Sequence, residues 1–499
     1  MKSVSLKVLG VATATALVAL SACSSKPSGS AGSTLRVAAE SEPATLDLTS
    51  TPAAGIPRIL LYNVYEGLVK INAKGRVVPL LAKSFTLSAD RKTYTFTLRD
   101  NAAFSNGDPL TAADAVYSIN RVLAPASTHP FKSQMAVVKS ATASDPHTLV
   151  VTLKHPSNTW LFSMANPVGI IFDQKAIGAI ATTPVGSGPY SFVKWVRGSS
   201  LTLKRNDKYW GDKAQVANVD FRFFTDPNAV NSAMLAGDLD IITNSGAPET
   251  LKQFEGTDRY TVVQGTSNGE VTMSMNNARG PLKDVRVRQA INYAIDRKAL
   301  IKTAWAGYGT LIGSMVPPTD PWYVDLANRY PYDPAKAKSL LAAAGYANGF
   351  SLQMKLPTRP YAIAAGEFVA AALKKVGINA KVSQLEFPAR WVETVLTNGD
   401  YDISIINHAE PRDIEKFGDP TYYFHYSNPA VKALLDKADR GTLQQQIVYM
   451  KEVAKTLSDD AAADWLFLMP NLEVLAKGVT NYNPNAVSLS YDLTHTSKS

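Results

Sequence analysis

The sequence holds one cysteine, Cys23, among 499 residues. A lone thiol excludes an intramolecular disulfide and any cluster of thiolate metal ligands. Histidine is scarce as well: six residues, none in a His-x-x-x-His spacing. No His-Glu-x-x-His occurs, so one common hydrolase signature is missing. Carboxylates are plentiful, but none forms a pair with a catalytic context. The reading is therefore a protein that is not an enzyme, with no cofactor and no metal centre of its own. The chain carries no run of Lys and Arg, and its formal charge of +9 is spread thinly. That distribution argues against nucleic acid as a partner. Beyond the amino terminus, no apolar run reaches the roughly 20 residues a membrane-spanning helix needs.

What is present begins at that terminus. Lys2 and Lys7 precede an uncharged stretch from Val8 to Leu20, followed by Ser21, Ala22 and Cys23. The stretch is too short to span a bilayer and fits a secretory signal over residues 1–22. Leu20-Ser21-Ala22-Cys23 resembles the bacterial lipobox, which implies lipid on Cys23, the first mature residue. Residues 23–34, polar and Gly/Ser-rich, then read as a flexible tether. The expected location is the outer face of the cytoplasmic membrane, lipid-anchored. With 45% hydrophobic and 19% charged residues, the rest has a globular composition and length for more than one domain.

Strand and helix signals alternate along the mature chain, giving an α/β protein. Thr93 to Leu98 and Thr148 to Leu153 show the two-residue period of half-buried strands, and Leu201 to Leu203 reads similarly. Thr111 caps a helix with Asp114 in its first turn. Asp284 caps another, whose stripe is Val287, Ala290, Ile291, Ala294 and Ile295. A third, Pro334 to Ala344, starts on proline and stops at Gly345.

Six motifs carry a more specific signal. In order they are Leu46-Asp47; Tyr65-Glu66-Gly67-Leu68 with Val78-Pro79-Leu80-Leu81-Ala82; Phe104 to Asp114; Gly186-Ser187-Gly188-Pro189-Tyr190; Asn206-Asp207-Lys208-Tyr209-Trp210; and Asp284 to Ala290, extending to Asp296-Arg297. This series resembles the dipeptide-, oligopeptide- and nickel-binding family of ABC-transporter solute-binding proteins. Most of these residues read as structural. Gly186 and Gly188 look like turn positions needing unusual dihedrals, Asn106-Gly107 like a tight turn, and Arg286 and Arg288 like packing or solvated charge.

The resemblance implies a two-lobed periplasmic-binding-protein-like α/β fold with a hinge and a smaller extra domain on the first lobe. Lobe I would be 35–70, 186–275 and 466–499; the extra domain 71–185; lobe II 276–465. Family members that bind peptides set an acid against the peptide amino group, in a stretch that here reads Asn407-His408-Ala409-Glu410-Pro411-Arg412-Asp413. Glu410, Asp413 and the downstream Asp419 all remain candidates for that acid, since Asn407 stands where many members carry tryptophan. Arg412 is the candidate partner for a ligand carboxylate, or else pairs internally with Glu410 or Asp413. Phe417, Tyr422, Tyr423, Phe424 and Tyr426 offer aromatic surface, with core packing as the competing reading. His408 and Trp391, with Arg390 beside it, complete the second-lobe set; the loop 46–56 and the segment 268–276 are first-lobe candidates. The implied partners are a peptide ligand, an ABC permease and its ATPase subunits, served by a monomer. A metal chelate, a sugar oligomer, haem, or a sensing role without transport would suit the same fold.

Overall fold

The computed structural model describes residues 33–39 and 41–499; the signal and Cys23 lie outside the described residues. The first strand, Thr34–Ala39, starts on the last residue assigned to the tether. It belongs to a ten-stranded mixed sheet. From one edge the order is Ile378–Leu385, Phe350–Pro357, Ile403–His408, Tyr260–Met275, Ala463–Ala476, Ile241–Ile242, Thr34–Ala39, Asn218–Phe223, Ser200–Arg205 and Tyr190–Val196. Chain order and sheet order disagree throughout, so the sheet is assembled from distant segments.

Two long central strands join its halves. Tyr260–Met275 and Ala463–Ala476 run antiparallel, from the pair Tyr260–Ala476 to the pair Ser274–Ala463. Near one end, Ala463–Ala476 takes Ile241 and Ile242 of the first lobe as partners. At the other, residues 270–275 pair with Ile403–His408 of the second lobe. The register slips between Gly265 and Gly269, where the two halves meet. An interrupted ladder between two packed bodies is where a hinge costs least.

Each body has its own core. Leu35, Val37, Leu201, Val219 and Phe221 anchor the first lobe. Met273, Ile291, Leu356 and Ile405 anchor part of the second, and a separate aromatic cluster with Trp322, Tyr401 and Phe417 fills the rest. A four-stranded antiparallel sheet, Ala82–Leu87, Thr93–Leu98, Thr148–Leu153 and Val138–Asp145, forms the extra domain. Its Thr/aromatic alternation buries Tyr94, Phe96 and Leu98 under the helix Ala112–Leu123. That helix starts with a capping box between Thr111 and Asp114.

Three of the six motifs converge on one buried carboxylate. Glu66 accepts hydrogen bonds from Ser187 Oγ at 2.8 Å, Tyr209 OH at 2.7 Å and Trp210 Nε1 at 2.9 Å. Burial pushes its carboxyl up to about 7, against those three donors. Gly186 and Gly188 sit behind this knot, and here the turn-dihedral expectation is corrected. Neither has positive φ. A β-carbon on Gly186 would lie 2.0 Å from the Val64 carbonyl oxygen, and one on Gly188 2.5 Å from that of Asn63. Close backbone approach, not a dihedral, demands glycine. Gly107 does take φ +96° in its turn.

Arg288 is structural as read. It is buried and donates to the carbonyls of Leu282, Asp460 and Ala461. Lys498 reaches back from the carboxyl end to the Thr34 carbonyl and to Asp240, which Arg36 also grips.

Candidate functional site

The strand Ile403–His408 carries apolar residues into the central sheet and ends at the junction of the lobes. The chain then turns sharply. Arg412 takes φ +66°, uncommon for a residue with a β-carbon, and the single-turn helix Asp413–Gly418 follows. This kink points alternate side chains of the 408–415 segment in opposite directions.

One set faces a cavity of about 760 Å³ between the lobes. From the second lobe, Trp305, Arg359, Tyr361, Phe387, Trp391 and Ile406 line it, together with His408, Glu410 and Asp413. From the first, Arg58, Phe224, Asn231, Ile242 and Asn244 close it, with Phe131 of the extra domain. Asn407 and Glu410 also border a smaller adjoining cavity, of about 100 Å³, with Ala54, Asn268 and Gly269. The walls mix aromatic and aliphatic side chains with polar and charged ones, the combination expected of a small-molecule site.

Those polar groups form a defined constellation. His408 Nδ1 lies 2.8 Å from Asp413 Oδ2, and Nε2 lies 2.7 Å from the Tyr423 hydroxyl. One ligand atom each from His408, Glu410 and Asp413 falls within 4.8 Å of the others. Burial, then the nearby Asp413, raises the Glu410 carboxyl above its ordinary value. A cation entering here would relieve that crowding. The chain Asp413–His408–Tyr423 has the connectivity of an acid–base–nucleophile relay, but Tyr423 is 1% exposed and its hydroxyl meets no solute.

Arg359 supplies the opposite charge. It precedes the helix Pro360–Lys374, stacks over Phe387 at 4.7 Å, and pairs with no carboxylate among the described residues. Arg58 and Lys416 reach the same cavity. Sequence reasoning missed Arg359; the only signal was an arginine before a helix-starting proline. Glu270, the direct cross-strand partner of His408, is buried with one oxygen unpartnered among the described residues; it lies in the candidate segment 268–276 but was not singled out there. Its signal was that it is the one charged residue in the run 268–275.

One family description, bacterial extracellular solute-binding proteins, family 5 middle, matches residues 76–429. The chain belongs to this family. It is 30% identical over 343 residues to the nickel-binding periplasmic protein of Escherichia coli (strain K12), and 30% identical over 338 residues to the glutathione-binding protein GsiB of the same strain. These matches take in 64% and 66% of this chain, and span 65% of the length of each relative. Among solved structures, the A. tumefacien R10 protein AgaA, in complex with agropinic acid, superposes with TM-score 0.78 at 26% identity. That match covers 93% of this chain and 99% of AgaA. The fold is thus that of the family's mixed α/β solute-binding proteins, a large sheet plus a further sheeted domain.

Within that frame the sequence candidates separate. Glu410, Asp413, Asn407, His408 and Trp391 border the cavity. Asp419 does not: it sits in an exposed turn, accepting from Thr421 N and Oγ, beside a different groove. Arg412 also turns away, its guanidinium 3.6 Å from the Phe162 ring centroid and 4.8 Å from that of Trp322. Neither internal pairing suggested for it, to Glu410 or Asp413, is formed. Of the five aromatics, only Tyr422 lines the cavity; Phe417, Tyr423, Phe424 and Tyr426 are core. Arg390 pairs with Glu393 on the surface.

Proposed function

We propose that the protein captures short peptides between its lobes and delivers them to an ABC permease, as a binding protein without enzymatic activity. The observation that carries this is one cavity, with apolar walls beside its charges, that presents both a carboxylate cluster, Glu410 with Asp413, and a cation, Arg359, in no ion pair among the described residues. A zwitterion with apolar side chains matches that combination. Its ammonium, stripped of water on closure, is offset by the acids, and its carboxylate by the guanidinium. The volume of about 760 Å³ lies in the range of small-molecule pockets, roughly 300–1,000 Å³. Binding biases the equilibrium of the hinge toward closure, the form a permease would read. In this reading a monomer acts from the outer face of the cytoplasmic membrane, held by lipid on Cys23. Its tether gives it reach to the permease.

Native mass spectrometry of the purified mature protein tests the assignment. A mixture of co-purified short peptides is expected; a single homogeneous non-peptide ligand overturns it.

A second reading is favoured by one observation. The imidazole of His408 and two carboxylates within 4.8 Å form a donor set suited to a divalent transition metal. The solute would then be a metal chelate, with His408 exchanging its bond to Asp413 for the metal. Metal analysis of the same preparation by inductively coupled plasma mass spectrometry decides between the two: stoichiometric metal supports the chelate, metal-free peptide the first reading.

A further inference from the structure

The extra domain touches both lobes, but very unequally. To lobe I it is bound through its chain connections, a hydrogen bond from the Tyr62 hydroxyl to the Ala165 carbonyl, another from Arg121 to Thr49, and Arg99 stacked over the Trp210 ring. Val487 of lobe I even belongs to its core. Among the described residues its hydrogen bonds to lobe II gather at one place, where the helix Asn158–Ser163 meets the end of the helix Pro429–Arg440.

That place is densely hydrogen-bonded. Asp439 Oδ1 accepts from Ser157 Oγ at 2.8 Å and from Thr159 N at 2.9 Å. Asn158 Nδ2 donates to the carbonyls of Ala438 at 2.9 Å and Gly441 at 2.8 Å. Arg91 donates to the Arg440 carbonyl at 2.8 Å and to Asn158 Oδ1 at 2.9 Å. Beside them Thr159 Oγ donates to Glu415 at 3.3 Å, and Arg412 is packed between Phe162 of the extra domain and Trp322 of lobe II. Apart from Phe162 and Trp322, these partners are polar groups that water can satisfy when the bodies part. A contact of this kind is reversible, unlike the apolar cores on either side.

We propose that this contact is a latch: the extra domain, moving rigidly with lobe I, grips lobe II outside the ligand cavity and holds the lobes closed. The grip falls on the back of the segment that presents the cavity acids. Glu410 and Asp413 face the cavity, while Arg412 and Glu415, from the same turn, face the extra domain. The left-handed Arg412 backbone is what divides the two directions. Strain at such a residue persists only where surrounding contacts over-determine it, and here they come from two bodies. The latch therefore sets how much of the protein is closed before any solute arrives, and with it the apparent affinity. It does not depend on what the solute is.

The test is a distance distribution in the absence of ligand. Spin labels are placed through Lys204→Cys in lobe I and Lys381→Cys in lobe II, in a full-length Cys23→Ser background freed of solute by unfolding and refolding. Both positions are exposed. Pulsed electron–electron resonance should show the closed-to-open ratio falling about tenfold in Asp439→Ala and in Asn158→Ala. Asp439→Asn, which keeps an acceptor oxygen, should restore most of it. Should Asp439→Ala not fold, Arg91→Ala removes two bonds at the edge of the contact and should give a smaller shift in the same direction. Distributions unchanged in folded latch variants overturn the proposal.

Discussion

Glu270 and His408 stand directly opposite each other on adjacent antiparallel strands. His408 is engaged through both ring nitrogens, while Glu270 has one oxygen without a partner. Burial, reinforced by Asp413, pushes the Glu270 carboxyl well above its ordinary 4.5. A raised carboxyl stabilises the fold while both states are protonated, and that contribution is lost as pH rises above about 4.5 toward the folded value. Glu270→Gln removes the titration and keeps the shape. The variant should match the wild type in melting temperature near pH 4.5 and exceed it increasingly up to pH 8. Parallel curves for the two proteins would refute this account.

Arg359 is assigned to the ligand carboxylate. Arg359→Met keeps apolar contact with Phe387 and deletes the charge. Affinity for a dipeptide with a free carboxyl end should drop by about 2–3 kcal/mol, while the carboxamide of the same dipeptide loses little. Isothermal titration with the two ligands gives the comparison, and equal losses would move the carboxylate elsewhere.

The acids rank by where they point. Glu410→Gln and Asp413→Asn should each weaken peptide binding at least tenfold, and Asp419→Asn should leave it unchanged. Asp413→Asn should also disturb His408, which loses a charged partner 2.8 Å away. Its imidazole shift, followed by NMR, separates that effect from simple loss of affinity.

Trp391 serves packing as much as the cavity. It is 4% exposed, donates to Ser404 Oγ at 3.0 Å, and packs on Phe387 and Tyr423. Trp391→Ala should cost about 3–5 kcal/mol in chemical denaturation, and Trp391→Phe less than half of that.

Gly188→Ala places a methyl group 2.5 Å from a backbone oxygen that cannot move without breaking the Glu66 knot. Soluble yield and melting temperature should fall steeply. The same change at Gly107, whose added carbon meets nothing within 4 Å, should cost only its dihedral strain of about 1–2 kcal/mol.

Local signals were legible wherever one residue type decides a local geometry. The caps at Thr111 and Asp284, the alternation in Thr93–Leu98 and the helix starting at Pro334 all stand where the sequence places them. The path of the sheet was not legible, because Glu270 meets His408 from 138 positions away in the chain and no local pattern encodes that pairing. The same reason governs the site. Acids on either side of Pro411 look alike in sequence; only the backbone turn at Arg412 sends Glu410 into the cavity and the guanidinium to Phe162. Arg359 escaped notice because its importance comes from what it lacks, an ion pair, and that is a property of the assembled lobe.

The grip of Lys498 on Thr34 and Asp240 has a kinetic meaning. The strand Thr34–Ala39 takes a side-chain partner from a residue 464 positions further along the chain. Lobe I cannot close its sheet until Ala463–Ala476 has been synthesised, because Ile241 and Ile242 take their outer neighbour from it. Such long-range pairing folds slowly. During synthesis the extra domain, local in sequence and self-contained in its sheet, is the unit able to fold ahead of lobe I. Lobe I must stay unassembled, with strand edges open, until Ala463–Ala476 is available. Truncations near the carboxyl end should therefore act as folding defects of the amino-terminal lobe.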